Sequence, residues 1–421
     1  MHGRRRKINK MQILLLTGEF PPQQGGVGDY AYLLARALRA RGHDVSVLTT
    51  QQAAAVEPDA APAATVSRWD WRAWPTIRAT IERLQPDVVL IQYQTAAYGL
   101  HPAINLLPGW LRLRLRGRCP RLVTTFHDLK FPYLFPKAGP LRLASVRWLA
   151  RQSDAAIATN MEDWQTLQQW GLTAWASADP AAVNAPPDRL TAMIPIGSNI
   201  ECAPPVGFER DAWRADVGVQ PQDWLLCYFG FLNASKGGEV LINSLARLVQ
   251  HGWPAHLLMI GGQVGSSDPS NERYLAHVRE QIGALGLSDR VHWTGFVPPT
   301  AVSAHFLAAD LCVLPYQDGA GRSRGSLMAA LAHGRPIVTT RPQRPLPGFA
   351  DGENMLWTPL ADPQAVAAAV VRVMTEPLLR QRLAAGAQAL SQQFTWTAIA
   401  AQYLALFGQW QGRAHPGRAS N

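Results

Sequence analysis

Short apolar runs recur along this chain at 12–17, 45–49, 88–92, 122–126, 155–159, 193–196, 225–229, 256–260, 291–293, 311–314 and 336–340. Most are continuous rather than alternating, which is the pattern of strands buried on both faces of a parallel sheet. Segments with helical spacing of apolar positions lie between them, at 27–41, 239–250, 271–285, 301–309 and 363–373. Strand–helix–strand units of this kind predict an α/β chain of parallel sheets covered on both sides. At 421 residues the chain exceeds what one core usually supports, so two domains are expected.

The boundary falls within 195–222, where Pro195, Pro204, Pro205, Gly207, Gly218 and Pro221 gather before a fresh strand–turn–helix unit at 225. The domains predicted are 11–195 and 196–395. Residues 376–411 read as helical, with Trp396, Ile399, Tyr403, Leu404 and Phe407 at helical spacing. Stretches 50–67 and 172–190 look like insertions, and 412–421, without an apolar face, reads as a frayed end. No internal repeat is visible.

A hydrophobic content of 47% and a charged content of 17% describe a packed globular protein. The formal net charge of +10 suits nucleic acid, an anionic membrane or a phosphorylated substrate. No DNA- or RNA-binding signature accompanies it, so nucleic acid is not expected. Cys119, Cys202, Cys227 and Cys312 lie far apart with no paired spacing, which predicts reduced, mostly buried thiols and no metal site. The basic Met1–Lys10 precedes only a short apolar run, and no stretch approaches the roughly 20 apolar residues of a membrane span. A soluble, cytoplasmic protein is expected, with contact at the inner face of the membrane left open.

The most informative chemistry lies at Leu225–Gly230, followed by Phe231-Leu232-Asn233-Ala234-Ser235-Lys236-Gly237-Gly238. An apolar strand ends in Gly230, the chain turns, and Lys236 stands just before a helix whose first N–H groups are unpaired. That combination suits phosphate. A second anion pocket is read at 317–336, where Arg322, Arg324, Gly325, Ser326 and Leu327 open a helix of small apolar residues. Near the start, Gly25-Gly26-Val27-Gly28 opens a helix after the first strand. The loop before it is too long for a dinucleotide fingerprint, and no acidic residue follows the second strand, so a backbone amide pocket or plain turn chemistry fits better. His127 and Asp128 follow the fourth strand-like run, at an edge where open α/β sheets bind ligands.

Arg112, Arg114, Arg116, Arg118 and Arg121 punctuate leucines in strand-like alternation, although Ile104–Trp110 reads as the start of a helix lying on a membrane. A solvated face between elements is the other reading. No Asp-x-Asp, Walker loop, HExxH, GxSxG or kinase set occurs.

Together these motifs resemble the retaining glycosyltransferases of family four, glycosyl transferases group 1. The carriers are Pro21-Pro22-x-x-Gly25-Gly26-Val27-Gly28, His127-Asp128, Ile194-Pro195-Ile196-Gly197-Ser198-Asn199, Phe229–Gly237, Thr294-Gly295-Phe296-Val297 and Gly325–Pro336, spanning roughly 11–410. The resemblance implies a GT-B fold, two Rossmann-like doubly wound domains facing across a cleft, with the last helix (396–411) packing back on the first domain. It implies a metal-independent transfer, with retention and no cofactor, from a nucleotide-diphosphate sugar to a polysaccharide, glycolipid or similar acceptor. By this likeness Gly25, Gly26 and Lys236 flank the donor diphosphate, His127 meets the donor sugar, and the backbone near Phe296 holds the base.

His127, Asp128 and Lys236 are the expected catalytic residues, with Gly25, Gly26, Gly230, Phe296 and the 322–327 loop on the donor. The family's two glutamates, eight positions apart, fall on Gly321 and Ala329, and its arginine before the lysine falls on Phe231. A binding protein that has lost its chemistry is therefore an alternative, as is an epimerase or hydrolase on the same architecture.

Overall fold

The computed structural model of the chain describes residues 10–23, 25–51, 61–129, 139–175, 189–262 and 269–410. The greater part of each insertion-like stretch (52–60 and 176–188) and the end of the chain from 411 lie outside the described residues. The chain divides into two compact units, Met1–Gly197 with Trp396–Asn421, and Ser198–Thr395.

The first unit is built on β1 (Gln12–Thr17), β2 (Asp44–Thr50), β3 (Ala64–Val66), β4 (Val88–Tyr93), β5 (Arg121–Phe126), β6 (Ala155–Ala158), β7 (Thr173–Ala174) and β8 (Leu190–Met193). They form one sheet in the order β3-β2-β1-β4-β5-β6-β8-β7, paired in parallel throughout. Its helices are α1 (Gly26–Ala40), α2 (Ala73–Leu84), α3 (Ala103–Leu115), α4 (Gly139–Gln152), α5 (Met161–Gln169) and, from the far end of the chain, α13 (Trp396–Phe407).

Alternate residues of each strand feed separate cores, as the twofold period of a strand requires. Ile13, Leu15, Val45, Val47, Val88 and Leu90 pack under α1 and α13, whereas Leu14, Leu16, Leu48, Val89 and Ile91 pack under α2, α3 and α4. A sheet buried on both faces explains the continuous apolar runs. The last helix is tied to α1 by Tyr30 and Tyr403, whose hydroxyls lie 2.9 Å apart in the buried core.

Two expectations need correction. The strand read at 193–196 lies at Leu190–Met193, where Leu190 pairs with Ala155 and Met193 with Ala158. Ile194 makes one more bond to Ala158, and Pro195, on the β7 side of the strand, has no N–H to offer a neighbour there. The strand-like alternation at 112–115 is the last turn of α3. Leu111 and Leu115 are buried one helical turn apart, while Leu113 between them faces out.

The second unit holds β9 (Trp224–Phe229), β10 (Ala255–Ile260), β11 (Val291–Trp293), β12 (Leu311–Leu314), β13 (Ile337–Thr340) and β14 (Leu356–Thr358). Their order is β11-β10-β9-β12-β13-β14, again parallel. Helices α6 (Arg210–Ala215), α7 (Gly238–Gln250), α8 (Pro269–Ala284), α9 (Pro299–Ala308), α10 (Gly325–Ala332), α11 (Pro363–Thr375) and α12 (Pro377–Ser391) belong to it. Cys227 and Cys312 are buried in adjacent strands, Cys119 is buried in the first unit, and Cys202 is exposed; all four are free thiols.

The amino edge of this sheet is closed by buried Arg214. Its guanidinium reaches Asp310 at 3.1 Å and the backbone carbonyls of Ala308, Gln220 and Asp223. In both units the strand order reverses next to the first strand, between β1 and β4 and between β9 and β12. Open α/β sheets bind ligands outside the carboxyl ends at such switch points.

Candidate functional site

The switch point of the second unit carries positive charge. Strand β9 ends at Gly230, which takes a φ of +117° that a side chain would resist. The turn that follows is held by Ser235, whose hydroxyl donates to the Asn233 side chain at 2.8 Å, and by the Gln317 N–H, which donates to the Ser235 carbonyl at 2.9 Å. Gly237 starts α7 at φ +72°, and a Cβ there would collide with the Pro315 carbonyl oxygen. A glycine is needed at this position on both counts, and it lets the loops after β9 and β12 close on each other.

Lys236 is thereby held at the start of α7. Its ammonium lies over the Tyr316 ring, 5.3 Å from the centroid. Arg324 lies over the same ring at 4.8 Å and pairs with Asp318. Burial, reinforced by Arg324 and opposed by Asp318, lowers the Lys236 ammonium to about 8. The lysine stays charged at pH 7 but weakly hydrated, a favourable state for gripping an anion.

Buried Tyr316 bonds Ser326 through its hydroxyl at 2.6 Å, and a Cβ on Gly230 would stand 4.0 Å from the Ser326 side chain. Gly230, Lys236, Arg324, Gly325 and Ser326 thus converge around one tyrosine, while Leu327 is buried beneath them. Sequence reasoning missed Tyr316. Its signal was the Pro315-Tyr316 pair directly after a strand at the binding edge.

Arg322 stands apart from this group. Its guanidinium donates to the Pro347 carbonyl and lies over the rings of Phe349 and Phe394, 5.9 and 6.0 Å from their centroids. Phe296 is 70% exposed beyond β11, on a turn where the Thr294 hydroxyl accepts from the Gly261 N–H at 3.0 Å and donates to the Gly295 carbonyl. Gly321 lies in the loop before α10 and Ala329 is fully buried, so neither position supplies a carboxylate. Asp318 is the acidic group beside the two cations, while Glu353 is exposed.

The switch point of the first unit combines acidic side chains with uncharged ones. A Cβ on Gly26 would meet nothing within 4 Å, whereas one on Gly25 would strike the Glu19 carboxylate. Burial, and secondarily Asp29, raises the Glu19 carboxyl. Gly25, at the start of α1, therefore already faces an acidic side chain.

His127, half-buried at the end of β5, places Nε2 2.9 Å from Oε1 of fully buried Gln92 on β4. Its ring meets the Tyr30 ring edge-on at 4.6 Å. Burial pushes the imidazole down to about 3, so it is neutral at pH 7. Tyr30 joins Tyr403, which is bonded in turn to the Thr125 hydroxyl at 2.8 Å, so the final helix is part of the same network. Asp128 is half-buried near Asp163, whose carboxyl is raised first by burial and further by that neighbouring charge. Gln92 is the residue that sequence reasoning missed here, a polar position inside an otherwise apolar strand.

No group of His, Cys, Asp and Glu suited to a metal ion occurs among the described residues, and no described helix is long and apolar enough to cross a membrane.

Residues 24–175 match the family described as Glycosyltransferase Family 4, and residues 224–376 the one described as Glycosyl transferases group 1. The chain is 28% identical over 311 residues to the D-inositol 3-phosphate glycosyltransferase of Corynebacterium glutamicum (strain R), covering 71% of this chain and 68% of that protein. It is 27% identical over 420 residues to the protein of the same description from Jonesia denitrificans, covering 91% of each. Among solved structures, Anabaena Alr3699/HepE in complex with UDP and glucose superposes with a TM-score of 0.70 at 20% identity, over 94% of this chain and 99% of that one. The sucrose-phosphate synthase of Thermosynechococcus elongatus gives a TM-score of 0.68 at 21% identity, over 95% and 99%. At these identities the structural likeness shows the fold, which is GT-B.

Proposed function

Because the chain belongs to the family-four, group 1 glycosyltransferases, we propose that it moves a sugar from a nucleotide-diphosphate donor to a carbohydrate or lipid-linked acceptor, with retention and without a metal ion. The observation that carries this reading is the placement of Lys236. A partly desolvated ammonium stands between a strand-ending glycine and a helix N-terminus, beside a second cation.

As the glycosidic bond stretches, negative charge grows on the leaving diphosphate. Lys236, Arg324 and the N–H groups opening α7 and α10 are the groups that stabilise it. Gly230 leaves the diphosphate room to approach the backbone, and the Gly295–Phe296 turn offers backbone groups to the base. Arg322 is left out of this reading, because its guanidinium donates to the Pro347 carbonyl and lies over Phe349 and Phe394.

His127 works as a neutral hydrogen-bonding group on the donor sugar. With Gln92 Oε1 as its partner, Nε2 carries the hydrogen and Nδ1 keeps a lone pair to accept from a sugar hydroxyl. Burial, which lowers the ring to about 3, disfavours the imidazolium that a proton donor near pH 7 would need.

The Anabaena structure contains UDP and glucose, and the curated relatives are named for D-inositol 3-phosphate. By that likeness UDP-glucose heads the donor panel and phosphorylated polyols head the acceptors. The test is transfer from UDP- and GDP-sugars followed by mass spectrometry of products, alongside Lys236→Ala and His127→Ala. Full transfer by both variants would defeat the assignment.

A second reading is a nucleotide-sugar-binding protein without turnover. Gly321 and Ala329 favour it, because the resemblance expects carboxylates at both. Tight donor binding with no product from any acceptor extract would select it.

A further inference from the structure

We propose that the outer face of α3 and α4 seats this protein on an anionic lipid bilayer. The two helices run side by side in one direction. Asn105 donates to Ser145 at 2.8 Å, the Trp148 indole lies against Gly109, and Arg112 donates to the Gln152 carbonyl at 3.1 Å. Their inner side chains, Leu107, Leu111, Val146 and Leu149, are buried.

Their outer side chains reverse what water asks of a surface helix. Leu106 is 37% exposed, Leu113 72%, Leu141 79% and Trp148 47%. With Trp71 and Leu143 these are six of the twelve large hydrophobic residues exposed among the described residues, gathered on α3, α4 and the approach to α2. Scattered apolar residues need no explanation, but a concentration of this kind does. An aromatic row continues the patch, since Trp71 meets Trp74 and Trp74 meets Trp110, each with centroids 4.8 Å apart.

Charge identifies the occupant. Residues 103–118 and 139–152 contain seven arginines (112, 114, 116, 118, 142, 147 and 151) and no aspartate or glutamate. Arg112 is engaged by Asp154 and Arg114 lies over the Trp110 ring. Leucines and tryptophans flanked by arginine suit the headgroup boundary of an anionic bilayer, where indoles sit at the interface and guanidiniums meet lipid phosphates. A nucleic acid would leave Leu113 and Leu141 without a partner, because stacking on bases needs aromatic rings. No described helix is suited to span the bilayer, so the contact is peripheral.

This inference goes beyond the transfer reaction and does not rest on it, since lipid binding is read without donor or acceptor. The full chain is floated with phosphatidylcholine vesicles, and with vesicles of phosphatidylcholine and phosphatidylglycerol at about three to one. Flotation with the mixed vesicles only, weakened by salt, is the expected result. The double variant Leu113→Ser/Leu141→Ser should lose about tenfold or more in vesicle partition, and Arg116→Gln/Arg147→Gln a similar amount. All four side chains are exposed, and an unchanged melting temperature checks that each variant is folded.

Three outcomes overturn the proposal. The wild-type chain stays in the aqueous fraction with both vesicle types; the serine variant floats as well as wild type; or the chain retains an RNA oligonucleotide or an acidic protein through this face while ignoring the mixed vesicles.

Discussion

The two sheets reverse their strand order at the same place, yet their carboxyl edges carry opposite chemistry. In the first unit, His127, Tyr30 and Tyr403 are all neutral at pH 7, because burial pushes the imidazole down to about 3 and holds both phenols above their usual value. In the second, Lys236 and Arg324 share the Tyr316 ring, and the lysine keeps its proton at pH 7 although burial lowers it to about 8. Strand order marks the edge where open α/β sheets bind ligands, and the local groups set which chemistry each edge suits. On the proposed function, the first edge would orient hydroxyl groups through hydrogen bonds, while the cationic edge would compensate a diphosphate. Glu19 sharpens the contrast, since it sets an acidic side chain beside Gly25 at the start of α1.

The strongest way to break this comparison is to remove the cation. Lys236→Ala should lower kcat/KM by about 10- to 100-fold, because a charge-assisted contact to phosphate contributes roughly 1.5–3 kcal/mol. His127→Ala should cost less, about tenfold, as expected for a neutral hydrogen bond. Steady-state kinetics with a saturating acceptor measure both, and a larger loss at His127 would move the chemistry to the first edge. Gly237→Ala belongs beside them. Its Cβ would strike the Pro315 carbonyl at a left-handed φ, so the variant should unfold earlier and bind donor weakly even with Lys236 intact.

The first edge is probed through Gln92. Replacing it with leucine should free the imidazole to exchange tautomers, visible as averaged 15N shifts of His127, and reduce kcat/KM by about fivefold. Gln92→Glu should raise the imidazole pKa by offering the ring N–H a carboxylate, and transfer should then gain a pH dependence below 7. A wild-type ring that already exchanges tautomers freely would remove Gln92 from the account.

Much of the fold and only part of the site could be read from residue order alone. Strands such as β1, β9 and β12 were legible because a doubly covered sheet demands continuous apolar residues, and Gly230 and Lys236 because a strand-ending turn before a helix leaves a local trace. The short edge strands β3, β7 and β14 went unread, although β11, also short, was read. The helices α4 and α5 were hidden because arginine, tryptophan and glutamine interrupt their apolar stripes. Tyr316 and Gln92 left only weak local traces, a Pro-Tyr pair after a strand and one polar position inside an apolar run, and their partners Lys236 and His127 come from other strand ends.

Acidity offers a subtler test, because Lys236 couples two effects of opposite sign. The unfolded chain holds this proton up to about 10.5 and the folded chain only to about 8. Between those values the unfolded state binds more protons, so this group's contribution to stability rises with pH across the window. If the ammonium meets the diphosphate as proposed, donor binding should weaken as pH rises through about 8. Calorimetry in buffers of different ionisation enthalpy should detect proton uptake on donor binding near that pH, and uptake should vanish in Lys236→Ala. Absence of uptake in the wild-type chain would mean that the ammonium does not meet the diphosphate.

The smallest expected effect separates the two neighbouring arginines. Arg324 lies on the same tyrosine as Lys236 and is the second cause, after burial, of that lysine's low pKa. Arg324→Ala should therefore shift the proton uptake to higher pH and raise the donor KM a few-fold, since one cation is lost while the other holds its proton more firmly. Arg322 is bound to Pro347 and covers Phe349 and Phe394, contacts that tie the α10 approach to distant segments of the second unit. Arg322→Ala should lower the melting temperature by a few degrees and leave both the donor KM and the proton uptake unchanged. If the donor KM instead rises equally in both variants, the cationic edge is wider than Tyr316 and its two partners.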